Sequence, residues 1–160
     1  AEEYYLKALR IEEDVLDAKD PSLATTYNNL GSLYESLEDY AQAEEYFLKA
    51  LRIREDARDA EDSSLNLVST YNNLGSLYNR KGDFVKAEEY YLKALRIEEE
   101  VLDDKSPSLA TTYNNLGSLY ESIEDNAQAE MYFLKALRIE EDVLDAEESS
   151  LNLASTYNNL

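Results

Sequence analysis

The stretch TYNNLGSLYESLEDYAQAEEYFLKAL, residues 26–51, contains both halves of a pattern that recurs along the 160-residue chain. From its first half, Tyr-Asn-Asn-Leu begins at Tyr27, Tyr71, Tyr113 and Tyr157, at spacings of 44, 42 and 44 residues. From its second half, Ala-Glu-Glu-Tyr-Phe-Leu-Lys-Ala-Leu or a close variant begins at Ala1, Ala43, Ala87 and Ala129. Self-similarity at a nearly fixed period predicts a solenoid of stacked units.

The alternating spacings add up to a larger unit of 86 residues. Residues 1–74 and 87–160 differ at only 11 of 74 positions. Similarity this close reflects either a recent duplication or deliberate design, and the sequence leaves both origins open.

Each repeat predicts two helices, which we name the front helix and the back helix. The front helix of the first complete repeat runs from about Pro21 to Leu37, with Asp20 as its N-cap and proline at the first helical position. Its apolar side follows the spacing of one helical face through Leu23, Tyr27, Leu30, Gly31, Tyr34 and Leu37. The back helix runs from about Tyr40 to Ala57 and is expected to bury Ala43, Phe47, Ala50 and Leu51.

The links between these helices are short. Glu38-Asp39 joins the first pair, and Lys81-Gly82-Asp83 joins the second, where Gly82 can adopt the left-handed conformation that ends a helix. Links this short make the two helices antiparallel neighbours. A polar connection over residues 58–63 leads to the next front helix. We therefore divide the chain into residues 1–19 (back helix of an incomplete repeat), complete repeats 20–62, 63–105 and 106–148, and residues 149–160 (front helix of an incomplete repeat).

The repeats resemble those of the tetratricopeptide repeat family, which combine an aromatic residue, Leu-Gly and Tyr in one helix with Ala, an aromatic residue and Ala in the next. The pattern is matched by Tyr27, Leu30-Gly31, Tyr34, Ala43, Phe47 and Ala50, by Tyr71, Leu74-Gly75, Tyr78, Ala87, Tyr91 and Ala94, and by Tyr113, Leu116-Gly117, Tyr120, Ala129, Phe133 and Ala136. Glu55 stands where the family has its closing proline, so the back helix extends. This longer form is similar to the repeats of kinesin light chains.

The resemblance implies an all-α fold, a right-handed superhelical solenoid of antiparallel helix pairs whose front helices line a concave groove. The candidate groove residues are Asn28, Asn29, Ser32, Asn72, Asn73, Ser76, Asn114, Asn115, Ser118 and Asn158, the first Asn of each pair being the stronger candidate. A side-chain amide both donates and accepts hydrogen bonds, so it can satisfy the backbone of an extended peptide. The same Asn side chains could instead bond neighbouring helices, and the motif Tyr and Phe residues are expected to pack in the core.

The charges avoid the front helices. The segments 22–37, 64–80, 107–123 and 150–160 hold 61 residues but only three charges, Glu35, Arg80 and Glu121. Some members of the family grip a terminal carboxylate with Lys and Arg in the groove, whereas this chain has Thr, Asn and Ser at those places. The pattern therefore favours a neutral groove over a carboxylate clamp.

The composition excludes several function classes. The 15 Lys and Arg against 35 Asp and Glu give a net charge of −20, which disfavours nucleic acid and anionic membranes as partners. The chain has no Cys and no His, so thiol and imidazole chemistry and zinc sites are excluded. The acidic runs Glu12-Glu13-Asp14, Glu98-Glu99-Glu100 and Glu140-Glu141-Asp142 lack the pattern of a calcium loop and are expected to be solvated helix faces. We expect no enzyme activity, no metal and no cofactor.

Two functions remain open. The first is a protein-interaction scaffold that binds an extended, neutral to basic peptide segment of another protein in the groove. The alternative is a structural or designed repeat module that associates head to tail, because the first helix presents Tyr5, Leu6 and Leu9 without a front helix to cover them. No leader sequence and no long apolar run is present, which predicts a cytoplasmic protein.

Overall fold

A computed structural model describes the backbone of residues 2–57 and 63–158 and the side chains of residues 3–57 and 64–143. Within these ranges the chain is all-α, which confirms the predicted fold class. The helices are α1 (Glu2–Val15), α2 (Pro21–Ser36), α3 (Tyr40–Asp56), α4 (Ser63–Arg80), α5 (Phe84–Val101), α6 (Pro107–Ser122) and α7 (Asn126–Asn158). None of the helices in the described part of the chain combines the length and the apolar character needed to cross a membrane.

The chain forms two compact units, residues 1–97 and residues 98–160. In the first unit, α2 packs against α1 on one side and against α3 on the other, and α3 also packs against α4. In the second unit, α6 packs against α7. The front helices are thus α2, α4 and α6. These contacts join helices that follow one another along the chain, and α2 also contacts α4, the next front helix.

The start of α2 has the predicted cap, and α3 has a cap that was not predicted. The side chain of Asp20 accepts a hydrogen bond from the backbone N–H of Ser22 at 2.9 Å, with Pro21 in the first turn of α2. Asp39 caps α3 by accepting from the backbone N–H of Gln42 at 3.2 Å. These bonds satisfy N–H groups that have no partner within the helix.

The mid-helix glycines allow the two helices of a pair to touch. A Cβ atom added to Gly31 would lie 2.5 Å from the ring of Phe47, one added to Gly75 would lie 2.5 Å from Tyr91, and one added to Gly117 would lie 2.6 Å from Phe133. Only glycine leaves room for these rings, so the close approach offsets the cost of about 1 kcal/mol that glycine carries inside a helix. The contact confirms the packing role predicted for the aromatic residues.

The turn after each front helix contains one residue in the left-handed backbone conformation. Gly82 has a φ of 75° as predicted, and Glu38 and Glu124, at the equivalent places, have φ values of 59° and 62°. The following residues Asp39, Asp83 and Asp125 each donate a backbone hydrogen bond of 2.9 Å to the carbonyl of the Tyr five residues earlier. This is the Schellman arrangement, in which any residue other than glycine at the left-handed position has a strained backbone.

Two apolar residues differ from the prediction. Leu37 is exposed, because α2 ends at Ser36 and Leu37 is its C-cap. Leu9 is buried rather than available to a partner, as are Leu51 and Leu95 at the equivalent positions. Most of the polar connection predicted for residues 58–63 lies outside the described residues.

The structure also differs at the predicted repeat boundary between residues 148 and 149. Helix α7 runs without a break from Asn126 to Asn158, so residues 149–158 continue the preceding helix instead of forming a separate front helix. The segment contains neither Gly nor Pro, and Ala, Leu and Glu between residues 143 and 153 favour helix. Because residues 149–158 continue α7, they do not pack back against the earlier part of the helix. Leu137 is accordingly exposed, unlike Leu9, Leu51 and Leu95.

The left-handed turns predict a stabilising substitution. Glu38→Gly is expected to raise the free energy of unfolding by about 0.5–1 kcal/mol, because it removes the backbone strain of an exposed residue. Gly82→Ala, at the same turn of the next repeat, is the matched control and is expected to lower it by about 1 kcal/mol. A Cβ at Gly82 meets no atom within 4 Å, so the effect reports backbone conformation alone. Urea unfolding measures both changes, and a destabilised Glu38→Gly would contradict the assigned turn.

Candidate functional site

We call the side of the front helices that carries the candidate groove residues the front-helix face; it belongs to α2 and α4 in the first unit and to α6 in the second. In the first unit, Asn28 and Asn73 meet across the two helices, with Asn73 Nδ2 donating to Asn28 Oδ1 at 3.2 Å. Both side chains are half-buried. Part of the predicted amide set therefore joins neighbouring repeats, which is the alternative role considered for these residues.

A second link between α2 and α4 involves charge. Ser76 Oγ donates to Glu35 Oε1 at 2.8 Å, and Arg80 Nε lies 3.3 Å from the same carboxylate oxygen. The Glu35 side chain is 13% exposed and that of Arg80 is 57% exposed. Ser76 thus holds a neighbouring carboxylate rather than simply lining the face. The sequence singled out both charges as rare but gave no sign that they pair.

The other two candidate residues of α2 point to solvent. Asn29 and Ser32 are exposed, and the Ser32 hydroxyl donates to the Asn28 carbonyl of its own helix at 3.2 Å. Among the described residues, Asn29 makes no hydrogen bond through its side chain. In the first pair it is therefore the second Asn, not the first, whose amide is available to a ligand.

The second unit and the remaining candidates show a mixed picture. Asn114 Nδ2 donates to Glu140 Oε1 of α7 at 3.0 Å. Ser118 is exposed, whereas Asn72 in the first unit and Asn115 in the second are half-buried and already take part in interactions. The side chain of Asn158 lies outside the described residues.

The side opposite the front-helix face, which we call the back-helix side, carries a repeated hydrogen bond that the sequence did not reveal. The hydroxyl of Tyr27 donates to Glu13 at 2.8 Å, that of Tyr71 to Glu55 at 3.0 Å, and that of Tyr113 to Glu99 at 3.3 Å. Each bond joins a front helix to the preceding back helix. Burial raises the pKa of Tyr27 to about 12, and the Glu13 carboxylate beside the hydroxyl adds to the rise. Burial and Glu99 likewise raise the pKa of Tyr113 to about 12.

Charged residues are buried at equivalent positions of two back helices. Arg54 of α3 donates through Nη1 to the Asn66 carbonyl of α4 at 2.8 Å and also to Thr70. Glu98 occupies the equivalent position in the next repeat, where it accepts a hydrogen bond from Ser108 and is fully buried. The opposite charges show that this buried polar position differs from repeat to repeat. The sequence shows the difference in charge, but it did not predict that the position is buried.

Carboxylates in the acidic runs are used in these helix-to-helix contacts. Glu13 and Glu99 accept from tyrosine, and Glu140 accepts from Asn114. Among the side chains of residues 3–57 and 64–143, no three potential ligands are grouped to hold a metal ion. The arrangement on the front-helix face offers amides and hydroxyls, which can form hydrogen bonds but do not transfer protons near neutral pH.

Comparison with known proteins agrees with this architecture. A sequence profile described as Tetratricopeptide repeat matches residues 1–56 and 66–142. Among solved structures, the chain is similar to BtubC (BKLC) from P. vanneervenii, with 29% identity and a TM-score of 0.76 over 88% of this chain and 56% of that one. A comparison with curated protein sequences gave no match.

Two structures of a Podosopora anserina putative kinesin light chain with nearly identical TPR-like repeats are also similar. Both share 16% identity with this chain, and their TM-scores are 0.69 and, for a single-substitution variant, 0.72. They match 88% and 89% of this chain, which covers 66% of theirs. At this identity the likeness concerns the fold. This chain spans between about half and two thirds of the length of the three solved structures.

The bridge between α2 and α4 predicts different costs for two neighbouring amides. Asn73→Ala is expected to lower the free energy of unfolding by about 1 kcal/mol, because the half-buried Asn28 loses its donor. Asn29→Ala, the exposed control, is expected to change it by less than about 0.5 kcal/mol. Urea unfolding of the two variants makes the comparison, and equal losses would show that the bridge does not stabilise the pair.

The tyrosine hydroxyls predict instability in alkali. Because the pKa of Tyr27 rises from its ordinary value of 10 to about 12 on folding, its contribution is fully present below pH 10 and is lost as the pH rises from 10 to 12. Tyr113 acts in the same range. Circular dichroism and tyrosinate absorbance followed against pH are expected to change together. The variant Tyr27→Phe/Tyr113→Phe is expected to lose less stability over this range, and an unchanged pH dependence would refute the assignment.

Proposed function

Because the chain belongs to the tetratricopeptide repeat family, whose members are generally protein-interaction scaffolds, we propose that it is a non-enzymatic scaffold that binds an extended peptide segment along its front-helix face. Proteins of this family are typically non-catalytic. A cytoplasmic location is part of the same proposal.

The observation that carries the proposal is that some amides of the first unit bond neighbouring helices while another stays exposed. Asn28 and Asn73 fix α2 against α4, while Asn29 keeps an exposed amide that no described residue satisfies. An amide that both donates and accepts suits the N–H and C=O groups of an extended chain, whatever its side chains. Packed helices lie about 8–10 Å apart and an extended chain advances about 3.3 Å per residue, so one repeat matches about three ligand residues.

The electrostatics favour a neutral to basic ligand. The whole chain has a net charge of −20, which attracts cationic segments and repels acidic ones at long range. On the front-helix face of the first unit, Glu35 is paired with Arg80 and Ser76, so the pair adds little net charge. Long-range steering by the acidic chain and local recognition by neutral amides are therefore compatible.

The test is a peptide titration with an amide-matched control. An array of nine-residue peptides of neutral and basic composition supplies the probe, and the tightest binder is then titrated by calorimetry. Asn29→Ala is expected to weaken binding about fivefold, since a hydrogen bond contributes about 1 kcal/mol. Asn126→Ala removes an exposed amide at the start of α7, away from the front-helix face, and is expected to leave the affinity unchanged. Equal affinity of both variants, or no binder in the array, would contradict the proposal.

Head-to-tail association is a second candidate function, favoured by one observation. Tyr5 of α1 is 38% exposed, whereas Phe47 at the equivalent position of α3 is fully buried against Gly31. A front helix from another copy would cover Tyr5, and such a contact does not close on itself. It would require residues 149–158 to leave α7 and pack as a front helix.

Light scattering after size exclusion tests this second candidate over a hundredfold range of concentration. A molar mass that rises with concentration, more strongly at high salt, supports association, because salt screens the −20 charge. Tyr5→Ser is expected to suppress the rise. A constant mass near the 18.3 kDa monomer would rule the candidate out.

A further inference from the structure

The back-helix side of the first unit contains a half-open cavity of about 550 Å³. It lies where the turn between α1 and α2 meets α3, and its walls include Lys19, Tyr27, Leu48, Lys49, Arg52 and Asp56. This volume falls within the range of about 300–1,000 Å³ that is usual for ligand pockets. None of its lining residues belongs to the candidate groove set, so the cavity is a separate feature.

The cavity is locally positive in a strongly negative chain. Three cations, Lys19, Lys49 and Arg52, line it against two carboxylates, Glu45 and Asp56. The two lysines are paired, with Lys19 Nζ 3.0 Å from Asp56 and Lys49 Nζ 2.7 Å from Glu45. Within the described part of the chain, the exposed Arg52 makes no ion pair or hydrogen bond. Arg52 therefore has a free charge directed to solvent or to a ligand.

Apolar groups complete the wall. Leu48 is partly exposed, and Ile53 is buried beside it. Tyr27 also lines the cavity, although it is largely buried: its ring stacks on Tyr46, its hydroxyl donates to Glu13, and Lys49 Nζ lies 5.7 Å from its ring centroid. The cavity thus offers an apolar surface next to a free guanidinium group.

The second unit repeats most of these residues 86 positions later. Lys105 Nζ lies 3.3 Å from Asp142, which reproduces the pair of Lys19 with Asp56, and Lys135 and Arg138 stand in place of Lys49 and Arg52. Met131 replaces Glu45, so Lys135 lacks the carboxylate that pairs with Lys49. The cationic and apolar character of the wall is kept, and its negative charge is reduced.

From the free Arg52 charge and the apolar wall, we infer that this cavity is a second docking site, which takes a segment of a partner protein that is neutral apart from one carboxylate, because the net charge of −20 repels a more acidic segment. The segment carries an aliphatic or aromatic side chain next to a carboxylate. The apolar side chain lies against Leu48 and Tyr27, and the carboxylate pairs with Arg52. The site does not depend on peptide binding at the front-helix face.

The experiment uses the whole chain and a capped heptapeptide, Gly-Ser-Leu-Asp-Leu-Ser-Gly, as the probe, with its Asn analogue in place of Asp for comparison. Amide chemical shifts followed by NMR during the titration are expected to move around Leu48 and Arg52. Arg52→Gln is expected to weaken binding about tenfold, and the Asn peptide is expected to bind equally weakly. Arg96→Gln, at the equivalent exposed position of α5, is the matched control and is expected to change the affinity less than about twofold.

Three results would overturn the inference. The first is the absence of shifts at millimolar peptide, and the second is equal binding of the Asp and Asn peptides, which would reduce the cavity to an apolar surface. The third is a concentration-dependent dimer abolished by Arg52→Gln, which would make a second copy of the chain the occupant. Leu48→Ser, a surface change that leaves the charges intact, is expected to weaken binding as Arg52→Gln does, and unchanged binding by this variant would also count against the site.

Discussion

The contact between a mid-helix glycine and the ring of the following back helix sets the geometry of each complete repeat. At Gly31, Gly75 and Gly117 a single methyl group would collide with the ring at 2.5–2.6 Å, so the helices of each pair approach as closely as their backbones allow. This approach buries Phe47, and it also determines which side chains remain outside. The polar residues of the front helices are left on one side and the charged residues of the back helices on the other.

Polar contacts then join one repeat to the next. On the back-helix side, tyrosine hydroxyls donate to the carboxylates of the preceding repeat, as Tyr27 does to Glu13. On the front-helix side, the amides of Asn28 and Asn73 join α2 to α4. Some acidic residues that the sequence predicts to be solvated therefore hold helices together: Glu13, Glu99 and Glu140 accept hydrogen bonds from other helices. The two proposed binding surfaces use groups that have no partner among the described residues: the exposed Asn29 amide on one side and Arg52 on the other.

Repetition limits what the sequence can say about individual residues. Asn28, Asn72 and Asn114 are identical in context, yet Asn28 bonds the next front helix and Asn114 bonds a back-helix carboxylate. Arg54 and Glu98 occupy the same place with opposite charge and are both buried. A repeated motif predicts a common fold position, but its hydrogen bonds depend on which neighbour lies within reach. The sequence could therefore propose a candidate site on the front helices, but it could not tell the bridging members of the set from the exposed ones.

Local sequence was enough to predict the helix pairs, the cap of α2 and the core, because the spacing of Tyr, Gly and Ala and the capping Asp20 act within a single repeat. It also identified Gly82 as left-handed, since glycine alone adopts that conformation without steric strain. The same conformation at Glu38 and Glu124 became visible in the folded chain, because packing of the two helices imposes the turn on any residue. The continuation of α7 past residue 148 agrees with the helix-favouring residues of that segment, which the repeat pattern outweighed in the prediction. Only tertiary packing settles that Leu9 is buried, because its burial depends on the neighbouring helix rather than on the local pattern.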